Sequence, residues 1–246
     1  MQATIERRVL INYRVEPEVL AAAVPEPFRP FTIDGYGVAG ICLIRLGAVR
    51  PVGVPRRLGV TSENAAHRVA VEWDTPSGPV SGVYIPRRDT SSRVSALVGG
   101  RLFPGWQHRA RFDVREGDDR YEIHVASRDG AVSVEVDAQL SDGPMPGSIF
   151  ATVEAASAFF RSAPVGYAAT PCDGVFDGVE LGTDGWNLEP LHVERVASSY
   201  FDDGTRFPPG TATLDSAFLM SQMTTRWRPQ PQLVAAGGAA AGVSTC

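Results

Sequence analysis

Apolar and polar residues alternate clearly along four segments in the middle of this 246-residue chain. The segments are 67–74, 108–115, 121–126 and 132–137. Because successive side chains of a β-strand point to opposite faces, a period of two predicts four strands that each bury one face. Turn residues follow two of them, Asp118-Asp119 and Asp129-Gly130, which predicts that the last three strands form an antiparallel meander.

Further strands and a few short helices complete the predicted fold. Strands are expected at 9–15, 37–49, 191–201 and 211–227, and helices at 18–24, from 90 or 91 to 98, and at 149–161. Many short strands with few helices favour a mainly β fold, α+β at the margin, built as a closed or half-closed antiparallel β-barrel. We expect one domain over residues 1–230 and a flexible, glycine- and alanine-rich C-terminal tail over 231–246.

The composition excludes several classes of function. All 23 basic side chains are arginine, so no chemistry of this chain can use a lysine Schiff base. With a net charge of -5 and no long basic run, nucleic-acid binding is not expected. The apolar run 233–243 is too short to span a bilayer, so no membrane partner is expected. Cys42, Cys172 and Cys246 lie far apart in no metal-ligand spacing, which predicts reduced thiols and a cytoplasmic protein.

Two histidines fall on the apolar faces of the alternating strands. His108 lies on the same strand face as Phe112, and His67 lies on the same face as Trp73. Both imidazoles are therefore predicted to point into a barrel or core. Glu63 shares the face of His67 if that strand extends back to it. A carboxylate and two imidazoles in one cavity would suit general acid–base chemistry. The alternative for His108 is a core histidine bonded to a backbone carbonyl, and no zinc spacing predicts a metal site.

Two motifs occupy the N-terminal half of the chain. The first is Tyr13-Arg14-Val15-Glu16, followed through a short helix by Val24-Pro25-Glu26-Pro27. The second is Gly100-Arg101, followed by Trp106-Gln107-His108-Arg109. Both resemble motifs of the acetoacetate decarboxylase superfamily and, more loosely, of its uncharacterised YqjF-like (DUF2071) relatives. In the decarboxylases the corresponding segments read Tyr-Arg-x-Asp with Val-Pro-Glu-Pro, and Gly-Arg-Glu with Tyr-Pro-Lys-Lys.

The resemblance implies a decarboxylase-like barrel with a cavity, and it implies roles for several residues. His108 and Arg109 take the positions of the two family lysines, the first of which forms the Schiff base. Since imidazole cannot form a protonated imine, decarboxylation by the family mechanism is excluded. Thr61-Ser62-Glu63-Asn64 resembles the Tyr-Thr-Glu-Ser segment that carries the pocket glutamate. Superfamily members assemble, so the resemblance allows a homo-oligomer.

Two functions fit these expectations. The first is an enzyme with lyase- or hydrolase-type chemistry on a small carbonyl or carboxylate metabolite. His108 would be its general acid or base, Glu63 would share the proton, and the substrate-binding residues would be Arg109, Trp106, His67, Arg101 and Phe112. The second is a non-catalytic protein that binds a small apolar metabolite in the barrel cavity. We favour the enzyme, because an inward histidine beside a carboxylate is costly to retain without a role. Neither function calls for a cofactor or a metal.

Overall fold

The computed structural model describes residues 1–93 and 105–235. The strands of this part of the chain are β1 Gln2–Val15, β2 Arg29–Pro30, β3 Thr32–Ile33, β4 Tyr36–Arg50, β5 Val60–Thr75, β6 Gly78–Thr90, β7 Gln107–Glu116, β8 Arg120–Ser127, β9 Ser133–Leu140, β10 Val165–Ala169, β11 Val175–Asp184, β12 Glu189–Ser198 and β13 Ala212–Val234. The helices are α1 Pro17–Ala23 and α2 Val153–Ser162, with a 3-10 turn at Arg56–Leu58.

Seven strands close into a ring of backbone hydrogen bonds. The order around the ring is β1, β4, β5, β6, β10, β11 and β13, and β13 pairs again with β1. Neighbours in the ring are antiparallel except β6 and β10, which run parallel. The prediction of a mainly β, closed architecture with few short helices is confirmed, although the parallel pair departs from a purely antiparallel sheet.

Four strands form an outer layer beside the ring. β7 pairs with β6 in parallel, β7, β8, β9 and β12 then pair antiparallel in that order, and β12 pairs with β13. The predicted meander is therefore confirmed as β7–β8–β9. The apolar side chains of this layer, such as Ile123 and Val136, pack against Ile11, Ile41 and Val69 of the ring strands in the larger hydrophobic core. That core holds the outer layer against one face of the ring.

A second, smaller core lies on the opposite face of the same ring strands. It contains Leu10, Cys42 and Phe218 of the ring together with Ala156 of α2. α2 begins after Thr152, whose side-chain oxygen accepts a hydrogen bond from the backbone N–H of Ala155 at 3.1 Å, an N-cap. The helix predicted over 149–161 is thus confirmed with a later start, because Thr152 takes the cap position.

The structure corrects several other expectations from the sequence. No strand was predicted over residues 171–186, yet β11 occupies most of them and pairs with both β10 and β13. Gly178 is needed there by packing, because a Cβ would lie 2.8 Å from the Tyr167 ring. β13 runs past the expected domain end at 230, and Val234 pairs with Val175. The rest of the predicted tail, and most of the helix expected to end at 98, lie outside the described residues.

Cys42 is a free, buried thiol as expected, whereas Cys172 is disulfide-bonded. No helix in residues 1–93 and 105–235 has the length and apolar character that a membrane span requires.

Candidate functional site

A cavity of about 430 Å³ lies on the inner face of the ring. Every ring strand contributes to its lining, and one such residue from each strand in turn is Arg8, Cys42, Arg68, Val83, Val165, Leu181 and Trp227. Phe159 and Phe160 of α2 add an aromatic wall, continued by Trp186. The volume falls in the range of pockets that bind a small metabolite.

Three arginines on the ring strands β1, β5 and β6 line this cavity, and we call Arg8, Arg68 and Arg88 the arginine cluster. The strand register brings them together. Cys42 on β4 pairs with Ala66 on β5, and Ala66 pairs with Arg88 on β6. Because the side chain of Ala66 is only a methyl group, the space between Cys42 and Arg88 stays open to the cavity.

Arg68 is fixed by a buried chain of hydrogen bonds. Its Nη2 donates to Oδ1 of Asn12, and Nδ2 of Asn12 donates to the carbonyl oxygen and to Oγ of Ser216, both at 3.2 Å. The two bonds to Ser216 orient the Asn12 amide, so its oxygen must face Arg68. The Arg68 guanidinium also lies over the Phe160 ring, 5.0 Å from the centroid.

The charge of Arg68 is incompletely compensated by the described residues. Its Nε is buried and has no hydrogen-bond partner among them. Burial lowers the pKa of Arg68 to about 10, so the side chain still carries its charge at neutral pH. A buried cation with an unused N–H donor is expensive unless an anion approaches it.

Arg88 has a similar electrostatic setting. Burial lowers its pKa to about 10, opposed by the nearby Cys42 and Asp177. Among the described cavity-lining residues Asp89 is the one carboxylate, and it is held by Arg87, whose Nε and Nη2 lie 3.0 and 2.9 Å from its two oxygens. The inside of the cavity is therefore electropositive, with its own acidic group already engaged.

His108 and Glu63, the predicted catalytic pair, lie in separate clusters. The Nδ1 atom of His108 is 3.1 Å from Oδ2 of Asp129, and about a third of the side chain, 32%, is exposed. Gln107, one position earlier, lines the cavity in its place. Glu63 forms an ion pair with the buried Arg7, and burial raises the pKa of Glu63 against the opposing effect of Arg7. The structure does not bring the two side chains together.

His67 lies in the larger core and not in the cavity. Its side chain is fully buried, and its ring centroid is 4.5 Å from that of Tyr200 and 6.2 Å from that of Phe201. Neither ring nitrogen has a hydrogen-bond partner among the described residues. Burial lowers the pKa of His67 to about 3, so the imidazole is neutral at physiological pH.

The other predicted substrate-binding residues also lie elsewhere. Phe112 packs against the larger core, and Trp106 is half exposed at 52%. Neither these two residues nor Arg109 is among the residues that line the cavity. Arg101 lies outside the described residues.

The alternation predicted the apolar face of each strand as the inner one, so it did not indicate the cavity residues. Arg68 stands between Ala66 and Ala70 on the face read as polar. A charged residue flanked by two alanines at a spacing of two is a pattern that could have indicated a second buried face. Arg8 and Arg88 sit in Arg-Arg pairs, which are typical of exposed surface, and the sequence around them offers no such indication.

The family model of DUF2071, an uncharacterized conserved protein, matches residues 2–164. An acetoacetate decarboxylase from Legionella pneumophila subsp. pneumophila str. Philadelphia 1 has a similar structure, with a TM-score of 0.60 and 14% identity over 95% of this chain and 87% of that chain. The chain matches no curated protein.

Two further structures have the same fold. One is an acetoacetate decarboxylase-like enzyme from Sphingomonas wittichii RW1, with a TM-score of 0.56 and 12% identity over 95% of this chain and 91% of that one. The other is the enduracididine biosynthesis enzyme MppR complexed with pyruvate, with a TM-score of 0.55 and 12% identity over 95% and 89% of the two chains. At this level of identity the likeness establishes an acetoacetate decarboxylase-like fold.

Proposed function

The chain belongs to the DUF2071 family, and we propose that it binds a small carboxylate-bearing metabolite in the ring cavity without forming a Schiff base. The observation that carries this proposal is the arginine cluster, above all the buried Arg68 with its unpartnered Nε. A carboxylate ligand would accept hydrogen bonds from these guanidinium groups and supply the missing negative charge.

The apolar wall of the cavity supports a ligand with an apolar body. Phe159, Phe160 and Trp186 lie on the cavity surface, so an aryl or alkyl group could pack there while the carboxylate meets the arginine cluster. Ligand pockets commonly combine such a wall with a few polar groups that fix orientation. We therefore expect an aryl-substituted or branched keto acid to bind more tightly than acetate.

Binding, and not acid–base turnover, is the function that the described residues support. The described lining contains no imidazole, and its carboxylate is held by Arg87. The hypothesis that His108 acts as general acid or base has no support from the placement of that side chain, which pairs with Asp129. A non-catalytic binding role for the cavity fits these residues better than acid–base catalysis does. The ligand would be an anion and not the purely apolar metabolite expected from the sequence.

Calorimetry on carboxylates and on their neutral amides tests the proposal directly. We expect phenylpyruvate or a similar acid to bind and its amide to bind at least about tenfold more weakly, since a charge-assisted hydrogen bond contributes roughly 1.5–3 kcal/mol. Arg68→Gln should weaken binding of the acid by a similar factor. Arg57→Gln, a change at an exposed arginine of the β4–β5 connection, is the matched control and should have no effect.

Two results would overturn the proposal. Equal affinity for acid and amide would point instead to the binding of neutral apolar metabolites. If NMR shows that a bound acid is turned over, and if His108→Gln abolishes this turnover, the result would support His108 as a general acid or base. We expect His108→Gln to leave the affinity for the acid unchanged, because His108 does not line the cavity.

A further inference from the structure

Cys42 places a sulfur atom in the cavity beside the arginine cluster. The side chain is a free thiol, 7% exposed, and lines the cavity. Its Sγ accepts a hydrogen bond from Nε of Arg8 at 3.2 Å. An N–H donor that carries a full positive charge stabilises negative charge on the sulfur it contacts, and the thiolate is the nucleophilic form of cysteine.

The other two members of the cluster line the same cavity as this sulfur. Cys42 opposes the effect of burial on the pKa of both Arg68 and Arg88. Arg68, nine-tenths buried at 9% exposure, lines the same cavity, and its buried Nε has no hydrogen-bond partner among the described residues. A carboxylate bound by Arg68 would therefore lie in the same cavity as the thiol.

We propose that Cys42 is the nucleophile of the cavity and forms covalent adducts with carboxylate-bearing electrophiles that the arginine cluster holds. The inference rests on the proposed anion site and adds a reaction to it. With a 2-halocarboxylate, the sulfur bonds to the α carbon, the carbon–halogen bond breaks, and the halide leaves with the bonding electron pair. The thiol proton passes to solvent. With an α,β-unsaturated acid, the sulfur bonds to the β carbon and the α carbon takes up a proton from solvent.

Iodoacetate and iodoacetamide separate this proposal from ordinary thiol reactivity. The two reagents carry the same leaving group and differ in the charge that the arginine cluster would recognise. Because Arg29 precedes a proline, trypsin releases residues 15–45 as one peptide, which contains Cys42 and no other cysteine. Mass spectrometry of this peptide over time gives the rate of alkylation at Cys42 alone.

We expect iodoacetate to alkylate Cys42 at least about tenfold faster than iodoacetamide, after each rate is divided by that of free glutathione with the same reagent. Arg68→Gln should remove this preference while leaving the iodoacetamide rate nearly unchanged. Arg8→Gln should slow both reagents, because it removes the donor at the sulfur. Arg57→Gln should behave as the wild type, and Cys42→Ser should leave the peptide unmodified.

The outcomes distinguish this inference from the proposed function. If the wild type binds an unreactive carboxylate and neither reagent modifies its Cys42, the nucleophile is overturned and the anion site stands. If both reagents react at equal normalised rates, the arginine cluster does not guide the carboxylate to the sulfur, and this part of the proposal is overturned. If no carboxylate binds and iodoacetate has no preference, both proposals fail. Thermal melting of each variant shows that the protein compared is folded.

Discussion

His67→Phe should change how the stability of this protein depends on pH. In the folded state burial lowers the pKa of His67 to about 3, and on unfolding the pKa returns to its ordinary value near 6.5. Between these two values the unfolded chain binds a proton that the folded chain does not, so the free energy of unfolding falls as the pH falls. pH 5 lies about 1.5 units below the pKa of His67 in the unfolded chain. The free energy of unfolding at pH 5 is therefore lower by about 2 kcal/mol. At pH 7.5 this reduction is close to zero.

Phenylalanine keeps the ring contacts of His67 with Tyr200 and Phe201 and removes the titration together with two unpartnered buried nitrogens. Urea unfolding at pH 7.5, 6 and 5 measures the difference between variant and wild type. We expect this difference to move by about 2 kcal/mol in favour of His67→Phe from pH 7.5 to 5. His192→Gln, at a half-exposed histidine, is the control. A His67→Phe difference that stays constant across this range would refute the burial argument.

Three further changes have expected outcomes. Gly178→Ala should destabilise the protein by about 1–3 kcal/mol in urea unfolding, because its Cβ has no room, whereas Gly204→Ala, in open space, should have little effect. Asn12→Ala should cost about 2 kcal/mol, because it removes the acceptor of a buried charged donor. It should also weaken carboxylate binding in calorimetry more than it weakens binding of the amide. His108→Gln should alter the melting temperature very little, since its partnership with Asp129 is solvent-exposed.

The local part of the fold could be predicted from the sequence because alternation and turn residues are local. The meander from β7 to β9 follows from this pattern. The closure of the ring depends on pairs such as Gln2 with Arg226, which lie at opposite ends of the chain and leave no local pattern. β11 was not predicted, because glycines are typical of loops in a sequence. Gly178 is instead required by close packing within the strand.

The site could be predicted less well, because strand parity gives two faces and does not say which one lines a cavity. Both faces of β5 are buried, His67 toward the larger core and Arg68 toward the cavity. In β6 the register against β5 shifts between His67 and Val69, so odd-numbered Val83 and even-numbered Arg88 line the same cavity. An irregularity of this kind changes which side chains of a strand face the cavity, so parity counted from one end of the strand fails at the other.

The absence of lysine acquires a physical meaning at this cavity. Burial lowers the pKa of Arg68 and of Arg88 from 12.5 to about 10, which leaves both fully charged at neutral pH. A lysine that lost a similar amount from its ordinary value near 10.4 would titrate at roughly 8, where a neutral, nucleophilic amine becomes available. Arginine in the same position holds its charge and cannot form an imine. A cavity that binds an anion and leaves covalent chemistry to a thiol therefore requires arginine where an imine-forming cavity requires lysine.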